Sequence, residues 1–231
     1  MADAPTVDWR LPRLLARLQR PGFFFVNIGA NDGVSNDPVY PFLRQYSWRG
    51  IAVEPVPYLC EELRENYRRF PGVIVEHAAI AATPRVLHFV PPESTPHDFV
   101  RQVGSLHSDY LEKTIHLMRA WEFRGPVEAD LEQKIQRISV PCLTFDALLN
   151  KHGVTEIDFL NIDAEKNDFE ILSMIDFTRW RPKIICVETS EFTEEQEMRA
   201  GQLLRLAGYQ FVEWFDIFSE VFVRTEYVGL C

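Results

Sequence analysis

The sequence predicts an α/β fold built on a doubly wound, mostly parallel sheet. Apolar runs recur along the chain, each ends in a short polar turn, and a stretch with helical apolar spacing follows the turn. The runs are continuous rather than alternating, which is typical of strands buried on both faces. Because parallel neighbours need crossover helices, this succession of strands and helices indicates a doubly wound sheet. Two late runs, at 209–214 and 220–224, predict a C-terminal antiparallel hairpin. Its many aromatic residues could form an interface or part of the core, and core is the favoured interpretation.

Length and composition bound the class of protein. The 231 residues are expected to form one domain, 1–231, with an insertion. A net charge of −10 argues against a nucleic-acid partner, because phosphate binding uses a basic face. The first residues lack the apolar core of a signal peptide, and no apolar stretch approaches the roughly 18 residues of a membrane span. Neither secretion nor membrane insertion is therefore expected.

The cysteines indicate a reducing environment. They are far apart in sequence and include no CxxC pair, so a disulfide framework and a structural zinc site are both poor interpretations. A cytoplasmic location is expected, while the oligomeric state is left open, with a homodimer as one option. The four cysteines are Cys60, Cys142, Cys186 and Cys231.

An N-terminal extension, residues 1–21, is predicted to comprise a loose tail at 1–7 and a helix over 8–20. One interpretation of this helix is a membrane-surface or partner-binding element, because arginines separate its leucines. The favoured interpretation is a helix packed on the edge of the domain, since such apolar stripes usually face a core. The stripe consists of Leu11, Leu14, Leu15 and Leu18.

The first chemically informative stretch is a strand that ends in a glycine-bearing loop. Residues 23–28 are apolar apart from Asn27, and a helix capped by Asn36 or Asp37 is predicted over 34–46. Glycines let a backbone approach a ligand closely, and ligands bind at the carboxyl ends of such strands. A nucleotide- or nucleoside-binding unit is therefore expected. Its loop residues are Gly29, Ala30, Asn31, Asp32 and Gly33.

A second strand, 48–53, ends at Glu54 and Pro55, and a helix over 57–70 follows. Glu54 lies about 20 residues beyond the glycine loop, where an acid can accept hydrogen bonds from ribose hydroxyls. The alternative is an acid stabilised by the dipole of the following helix. The presence of the glycine loop favours the ribose interpretation.

The next segments are predicted to form the far side of the site. A strand over 73–80 runs into small residues beside which a flat ring could lie, and His77 there is either a site residue or a packing residue. The segment 93–137 is polar, and it is too long to be a simple loop between two elements of a compact α/β domain. We predict that it forms an inserted lid or substrate-selecting element over the cleft; the alternative is a helix on the domain edge. This insertion contains Ser105 and His107.

The second half repeats the pattern of strand, polar turn and helix. Strands are predicted over 138–143, 157–162 and 183–188, and the second of these ends in a group of acids. Thr193 and Gln196 predict a capping box at the start of a further helix. The acids after the second strand are Asp163, Glu165 and Asp168, and the third strand ends in Glu188.

The glycine loop distinguishes between two cofactor classes. A dinucleotide-binding loop needs the pattern G-x-G-x-x-G, but this loop has only Gly29 and Gly33. A cofactor without phosphates, such as S-adenosylmethionine, does not need that pattern. A nucleotide-dependent oxidoreductase therefore remains only as an alternative.

Four segments in this order resemble the FkbM family of methyltransferases: NIGANDG at 27–33, AVEP at 52–55, DFLNIDAE at 158–165 and RPKIICVE at 181–188. The resemblance implies a Rossmann-like class I methyltransferase fold with a seven-stranded sheet. It also implies that S-adenosylmethionine donates a methyl group to a hydroxyl on a sugar or natural product. The residues it places at the cofactor are Gly29, Ala30, Asn31, Asp32 and Gly33 on the methionine side, Glu54 and Pro55 at the ribose, His77 and Ala78 beside the adenine, and Ser105 and Asp163 nearby.

Three positions depart from the family's usual pattern. Lys166 stands where glycine is usual, Asp168 where glutamate is common, and Asn161 where lysine is frequent. These positions lie where the acceptor is expected. The changes at Lys166 and Asp168 are also the only support for a second alternative, a methyltransferase-like protein that binds a ligand or partner without catalysis.

Methyl transfer is an in-line displacement that a protein assists mainly by positioning, and a hydroxyl acceptor gains from a base. Asp163 is the leading candidate for that base. Glu165, Asp168 and Glu188 are possible helpers, and His107 or His116 from the inserted segment could supply the base instead. Asp163, Glu165 and Asp168 could instead bind a divalent ion through oxygen ligands, but no metal is expected. The motif of nucleobase amino methylation, Asn or Asp followed by Pro-Pro-aromatic, is absent after the strand that ends at Asp163.

Overall fold

The computed structural model describes residues 10–121, 127–216 and 218–230. The predicted tail at 1–7 and the first two residues of the predicted N-terminal helix lie outside them, as does part of the predicted insertion, 122–126. None of the helices in these ranges is long and apolar enough to cross a membrane. The helices are α1 (Arg10–Leu18), α2 (Tyr40–Leu43), α3 (Pro57–Tyr67), α4 (Asp98–Arg101), α5 (Ser108–Trp121), α6 (Phe145–Lys151), α7 (Asp168–Met174) and α8 (Glu194–Leu206).

The main sheet has seven strands, as the resemblance to the FkbM family implies. Its members are β1 (Phe24–Ile28), β2 (Arg49–Val53), β3 (Val73–Glu76), β9 (Phe159–Ile162), β10 (Ile184–Glu188), β11 (Tyr209–Trp214) and β12 (Ser219–Arg224). The spatial order is β3-β2-β1-β9-β10-β12-β11. Strands β3 to β10 in this order are parallel, and β12 pairs antiparallel with β10 and with β11. The doubly wound sheet and the C-terminal hairpin are both confirmed.

Smaller sheets stand beside the main one. Their strands are β4 (Ala79–Ile80), β5 (Arg85–Phe89), β6 (Gly104–Ser105), β7 (Gln136–Val140) and β8 (Cys142–Leu143). β4 pairs with β8, and β5 pairs antiparallel with β6 and β7. The single strands predicted over 73–80 and 138–143 are therefore wrong in extent. The second is interrupted at Pro141, which has no N–H to donate to a ladder.

The helix predicted over 34–46 is much shorter in the structure, because α2 covers only Tyr40–Leu43. Asn36 has a φ of 56°, in the left-handed region that a helix cannot accommodate. The Oδ1 atom of Asp37 accepts hydrogen bonds from the backbone N–H groups of Val39 and Tyr40 at 2.6 and 2.9 Å. The aspartate therefore holds this segment as a turn and then starts a single turn of helix.

Apolar clusters lie on both faces of the main sheet. One contains buried residues of α6, α7 and α8, and the other contains residues of α1, α2 and α3. Leu11, Leu14 and Leu15 of α1 are buried, which confirms the packed interpretation of the N-terminal helix. The predicted capping box of Thr193 and Gln196 is also present at the start of α8.

The hairpin is less buried than the sequence predicts. Phe222 is 7% exposed, but Phe211, Trp214 and Phe218 are each 49% exposed. The expectation that the hairpin aromatics are core is therefore wrong for these three residues. The reason is topological, because β11 is the last strand at its edge of the sheet.

The buried carboxylate of Asp158 lies at the edge of the sheet opposite the carboxyl ends of the parallel strands. Asp158 is fully buried and accepts hydrogen bonds from Arg20 Nε at 3.0 Å, Lys183 Nζ at 2.6 Å and the backbone N–H of Phe24 at 2.8 Å. Charged partners and a backbone donor together compensate the loss of water around this carboxylate. The contacts connect the starts of β1, β9 and β10, so the carboxyl ends of the same strands are aligned at the other edge.

Candidate active site

A cavity of about 1210 Å³ lies at the carboxyl ends of β1, β2, β9 and β10. Binding sites for small molecules are typically about 300–1,000 Å³, so this cavity can hold a cofactor together with an acceptor. Its walls include residues of α1 and α5 as well as the loops that follow the strands. The topology therefore brings the two polar turns singled out in the sequence to one concave site.

The glycine loop packs directly against the turn after β9. Gly29 has a φ of 76°, and a Cβ atom added there would lie 1.6 Å from the carbonyl oxygen of Asp163. The N–H groups of Gly29 and Ala30 donate to the carbonyl of Val53 at 2.9 and 3.0 Å. Both the backbone conformation and the available space thus require glycine at position 29. Gly29, Ala30 and Asn31 line the cavity.

Asp32 and Gly33 belong to the glycine loop but do not line the cavity. The carboxylate of Asp32 accepts hydrogen bonds from the N–H groups of Val34 and Ser35 at 2.8 and 2.7 Å. A Cβ atom at Gly33 would lie 2.4 Å from Leu63 on α3. These two residues shape the loop and its contact with α3, and their predicted role beside the methionine stays a prediction.

Glu54 connects the glycine loop to the end of β2. Its side chain lines the cavity but is only 4% exposed. Oε2 accepts from the N–H of Asn31 at 2.9 Å and Oε1 from the N–H of Val56 at 2.8 Å. Burial raises the pKa of Glu54 to about 7, although these two hydrogen bonds oppose the change. Pro55, the next residue, also lines the cavity.

The residues predicted beside the adenine divide into two groups. Ala78 is buried and lines the cavity, whereas His77 lies outside the lining with Nε2 3.1 Å from the carbonyl oxygen of Pro55.

Ser105 and His107 of the inserted segment also lie outside the lining of the cavity. Ser105 Oγ donates to the carbonyl of Glu165 at 2.7 Å and accepts from the N–H of His107 at 3.1 Å. Ser105 thereby holds the inserted segment against the turn after β9.

Two carboxyl groups meet at the floor of the cavity. Ile162 on β9 pairs with Val187 on β10, which places Asp163 beside Glu188 at adjacent strand ends. The two carboxyls lie close enough for one, when protonated, to donate a hydrogen bond to the other, and both line the cavity. Asp163 is accessible from the cavity but enclosed by protein, and this enclosure raises its pKa to about 6. Burial and the charge of Asp163 raise the pKa of Glu188.

Glu165 and Asp168 complete the acidic group. Glu165 lines the cavity and is hydrogen-bonded to the hydroxyl of Tyr110 on α5. Burial, followed by the charge of Asp163, raises the pKa of Glu165 to about 8. Asp168 is 2% exposed, and its Oδ1 accepts from the N–H of Ala164 at 2.6 Å. Within the described ranges, no group of three or more His, Cys, Asp or Glu side chains has an arrangement that could hold a metal ion.

The turn after β9 contains two residues in the left-handed region. Glu165 has a φ of 50° and Lys166 a φ of 82°. Such conformations are costly for residues with a Cβ atom and persist only where the surroundings impose them. The glycine usual in the family at position 166 would adopt this conformation without strain. Here Lys166 forms an ion pair with Asp109 of α5, which connects the turn to the inserted segment.

Sequence reasoning missed a buried polar network under the glycine loop. Asn27 Nδ2 donates to Asp37 Oδ2 at 3.0 Å, and Asn161 Nδ2 donates to Asn27 Oδ1 at 3.0 Å. The hydroxyl of Tyr67 also donates to Asp37, at 2.9 Å. Asn27 and Asn161 are direct partners in the register of β1 and β9. A polar residue inside each of two apolar strands was the available signal, and its meaning required the strand order.

The raised pKa values predict that stability decreases as pH increases. The pKa of Asp168 is raised from 3.8 to about 7, because of burial and the charge of Asp163, and that of Glu54 from 4.5 to about 7, because of burial. The folded protein therefore binds these protons more tightly than the unfolded chain does. Their stabilisation is fully present below the unfolded values and is lost as pH rises through about 7.

We expect the Tm to fall between about pH 5 and pH 8 for this reason. Asp168→Asn should reduce this slope, because the amide is uncharged throughout and can still accept the N–H of Ala164. Thermal unfolding followed by circular dichroism at a series of pH values measures both effects. A Tm that rises over this range, or an unchanged slope in Asp168→Asn, would contradict the assignment.

A sheet of this strand order, with a glycine loop after β1 and an acid after β2, defines a Rossmann-like methyltransferase that depends on S-adenosylmethionine. The chain belongs to the FkbM methyltransferase family, because the model of the methyltransferase FkbM domain matches residues 27–221. The family membership decides against the oxidoreductase alternative. The cofactor of this methyltransferase family is S-adenosylmethionine. The residues present fit this cofactor, because a glycine without a side chain, Gly29, and a carboxylate, that of Glu54, both line the cavity.

Several solved structures are similar in fold. The fibrillarin pre-rRNA processing protein of Methanococcus jannaschii has 12% identity and a TM-score of 0.43, over 90% of this chain and 68% of that one. A precorrin-6y C5,15-methyltransferase from Geobacter metallireducens has 13% identity and a TM-score of 0.41, over 92% and 84%. Aeropyrum pernix fibrillarin with natively bound S-adenosyl-L-methionine has 11% identity and a TM-score of 0.39, over 89% and 66%. A search of curated proteins gave no significant match.

Proposed function

We propose that this methyltransferase methylates a hydroxyl group on a small molecule, a sugar or a natural product, with Asp163 as the base. The observation that carries the proposal is the Asp163–Glu188 carboxyl pair at the floor of the cavity, beside the glycine loop. S-Adenosylmethionine supplies the electrophilic methyl group. The backbone of Gly29, Ala30 and Asn31 binds the methionine part, Glu54 the ribose, and the segment at Ala78 the adenine.

The proton chemistry favours a hydroxyl acceptor. A hydroxyl must lose its proton as the new bond forms, and the best base has a pKa near the working pH. Asp163 has a pKa of about 6, is accessible from the cavity, and has a neighbouring carboxyl, that of Glu188, with which it can share a proton. Glu165 faces the same cavity but accepts from Tyr110, so it is suited to positioning. His107, which lies outside the lining, is the weaker candidate.

The walls of the cavity favour a small acceptor over a nucleic acid. Tyr110, Thr114 and Leu117 of α5 line the cavity, which supports a role for residues 93–137 as a lid or substrate-selecting element. Pro12, Arg13 and Ala16 of α1 also line it, although α1 precedes the part of the chain that matches the family. Acids dominate the polar part of the site, and the chain has a net charge of −10, which disfavours binding of a phosphate backbone.

The cofactor site is tested by calorimetric titration with S-adenosylhomocysteine. We expect the wild type to bind and Glu54→Ala to bind about 100-fold more weakly. The substitution removes the proposed hydrogen bonds between the Glu54 carboxylate and the two ribose hydroxyls. It also removes the hydrogen bond from the N–H of Asn31 that holds the glycine loop in place. Glu65→Ala is the matched control: this exposed acid on α3, the helix that follows Glu54, pairs with Arg68. Absence of binding by the wild type would refute the proposed function.

The acceptor is tested by transfer of a labelled methyl group from S-adenosylmethionine to a panel of small molecules. The panel contains sugars, glycosides and hydroxylated aglycones, each paired with an amine of the same skeleton, and an RNA pool. We expect label only on hydroxyl oxygens. Label on the amines or the RNA would contradict the proposal. Tight S-adenosylhomocysteine binding without any transfer would favour the non-catalytic alternative.

A further inference from the structure

Asn167 carries a buried polar atom that the fold itself does not satisfy. The residue follows the acidic turn after β9, is 1% exposed and lines the cavity. Its Nδ2 donates to the carbonyl of Ile80 at 2.9 Å. No described residue donates a hydrogen bond to its Oδ1. An unpaired buried acceptor is destabilising and uncommon, so a donor that arrives with a ligand is a direct explanation.

The orientation of this amide follows from its neighbour. A flipped amide would place Oδ1 against the carbonyl oxygen of Ile80, and two acceptors cannot form a hydrogen bond. The backbone is held as well, since the N–H of Asn167 donates to Ala164 at 3.2 Å and its carbonyl accepts from Ile171 at 3.1 Å. Oδ1 is therefore the atom left for a ligand.

The surroundings of Asn167 suit a flat aromatic ring. Ala78, Ile80 and Ile171 belong to one apolar cluster and also line the cavity. Ala78 and Ile80 belong to the segment that follows β3, and Ile171 belongs to α7. The segment after β3 is where the adenine of the cofactor is expected. Adenine has a single donor group, the exocyclic amine, and its unsubstituted ring nitrogens are acceptors. An orphan acceptor in this part of the cavity therefore matches the amine and no other polar atom of the ring.

We propose that Asn167 Oδ1 accepts a hydrogen bond from the exocyclic amine of the S-adenosylmethionine adenine. Asn167 is thus a residue that selects adenine over other bases and fixes the position of the ring. This inference rests on the cofactor and on its predicted placement in the cavity, and it is independent of the acceptor. It gives a role to a residue that the sequence analysis did not single out.

The test compares two ligands by calorimetry: S-adenosylhomocysteine and its analogue with a purine ring, in which hydrogen replaces the amine. The wild type should bind the purine analogue about tenfold more weakly, the effect of one hydrogen bond. Asn167→Ala should bind S-adenosylhomocysteine about tenfold more weakly than the wild type does and should no longer distinguish the two ligands. Asn150→Ala, a change at an exposed asparagine bonded to Arg179, should keep the wild-type preference.

Two results would overturn the inference: equal affinity of the wild type for both ligands, or an undiminished preference in Asn167→Ala. The first comparison needs no variant and therefore does not depend on whether the substitution folds. Thermal unfolding of Asn167→Ala establishes that the second comparison uses folded protein. Failure of the wild type to bind S-adenosylhomocysteine would refute the cofactor site as a whole, whereas equal affinities would refute only the role of Asn167.

Discussion

Gly29→Ala is expected to abolish S-adenosylhomocysteine binding and to destabilise the protein by about 4 kcal/mol or more. The added Cβ would lie 1.6 Å from the carbonyl oxygen of Asp163, a backbone atom that cannot move without displacing the turn after β9. Position 29 also has a φ of 76°, which alanine adopts at a cost. At the usual scaling for a chain of this size, the Tm should fall by roughly 10 °C. Thermal unfolding and calorimetry measure the two effects.

Gly153→Ala separates the steric effect from the backbone effect. Gly153 also has a positive φ, of 62°, but nothing lies within 4 Å of a Cβ atom added there. Only the cost of the left-handed conformation, about 1 kcal/mol, should appear, with S-adenosylhomocysteine affinity unchanged. If Gly29→Ala behaved like Gly153→Ala, the close contact between the glycine loop and Asp163 would be refuted.

Asp163→Asn is expected to lower kcat by about 10²- to 10⁴-fold while S-adenosylhomocysteine affinity changes only a few-fold. The amide has the shape of the carboxyl but cannot take a proton from the acceptor. Because the pKa of Asp163 is about 6, the wild-type rate should also fall as pH decreases below that value, where the base is protonated. Steady-state kinetics with an acceptor from the panel, measured across pH, tests both statements.

Asp216→Asn is the matched control for this prediction. Asp216 is another carboxyl in the cavity wall, and its Oδ1 accepts from the N–H groups of Phe218 and Ser219 at 2.8 and 2.7 Å. Asparagine can keep both hydrogen bonds, so we expect less than about a tenfold change in kcat. Equal losses in the two variants would show that general electrostatics, rather than a base at position 163, supports the reaction.

The lining of the site shows which residues the sequence could identify. Gly29, Glu54 and Asp163 were recognisable because each directly follows a continuous apolar run, and the carboxyl ends of parallel strands share one edge of the sheet. The role of Asn167 and the hydrogen bond between Asn27 and Asn161 were not recognised. Their importance depends on partners far away in the chain, such as Ile80 and Asp37.

The sequence by itself determined the local features of this protein. Hydrophobic periodicity and turn chemistry act over a few residues, so strands, the capping box at Thr193 and the glycine loop could be read directly. The helix predicted over 34–46 was wrong at the same scale, because the turn held by the side chain of Asp37 delays the start of α2 to Tyr40.

Only the tertiary structure decided how these features combine. The strand order places Asp163 beside Glu188, and the packing of α1 and α5 over the strand ends encloses the cavity. The same packing encloses Asp163 and Glu188 in protein and thereby raises their pKa values. These are contacts between residues distant in sequence, and burial and charge interactions depend on that spatial arrangement rather than on any local pattern.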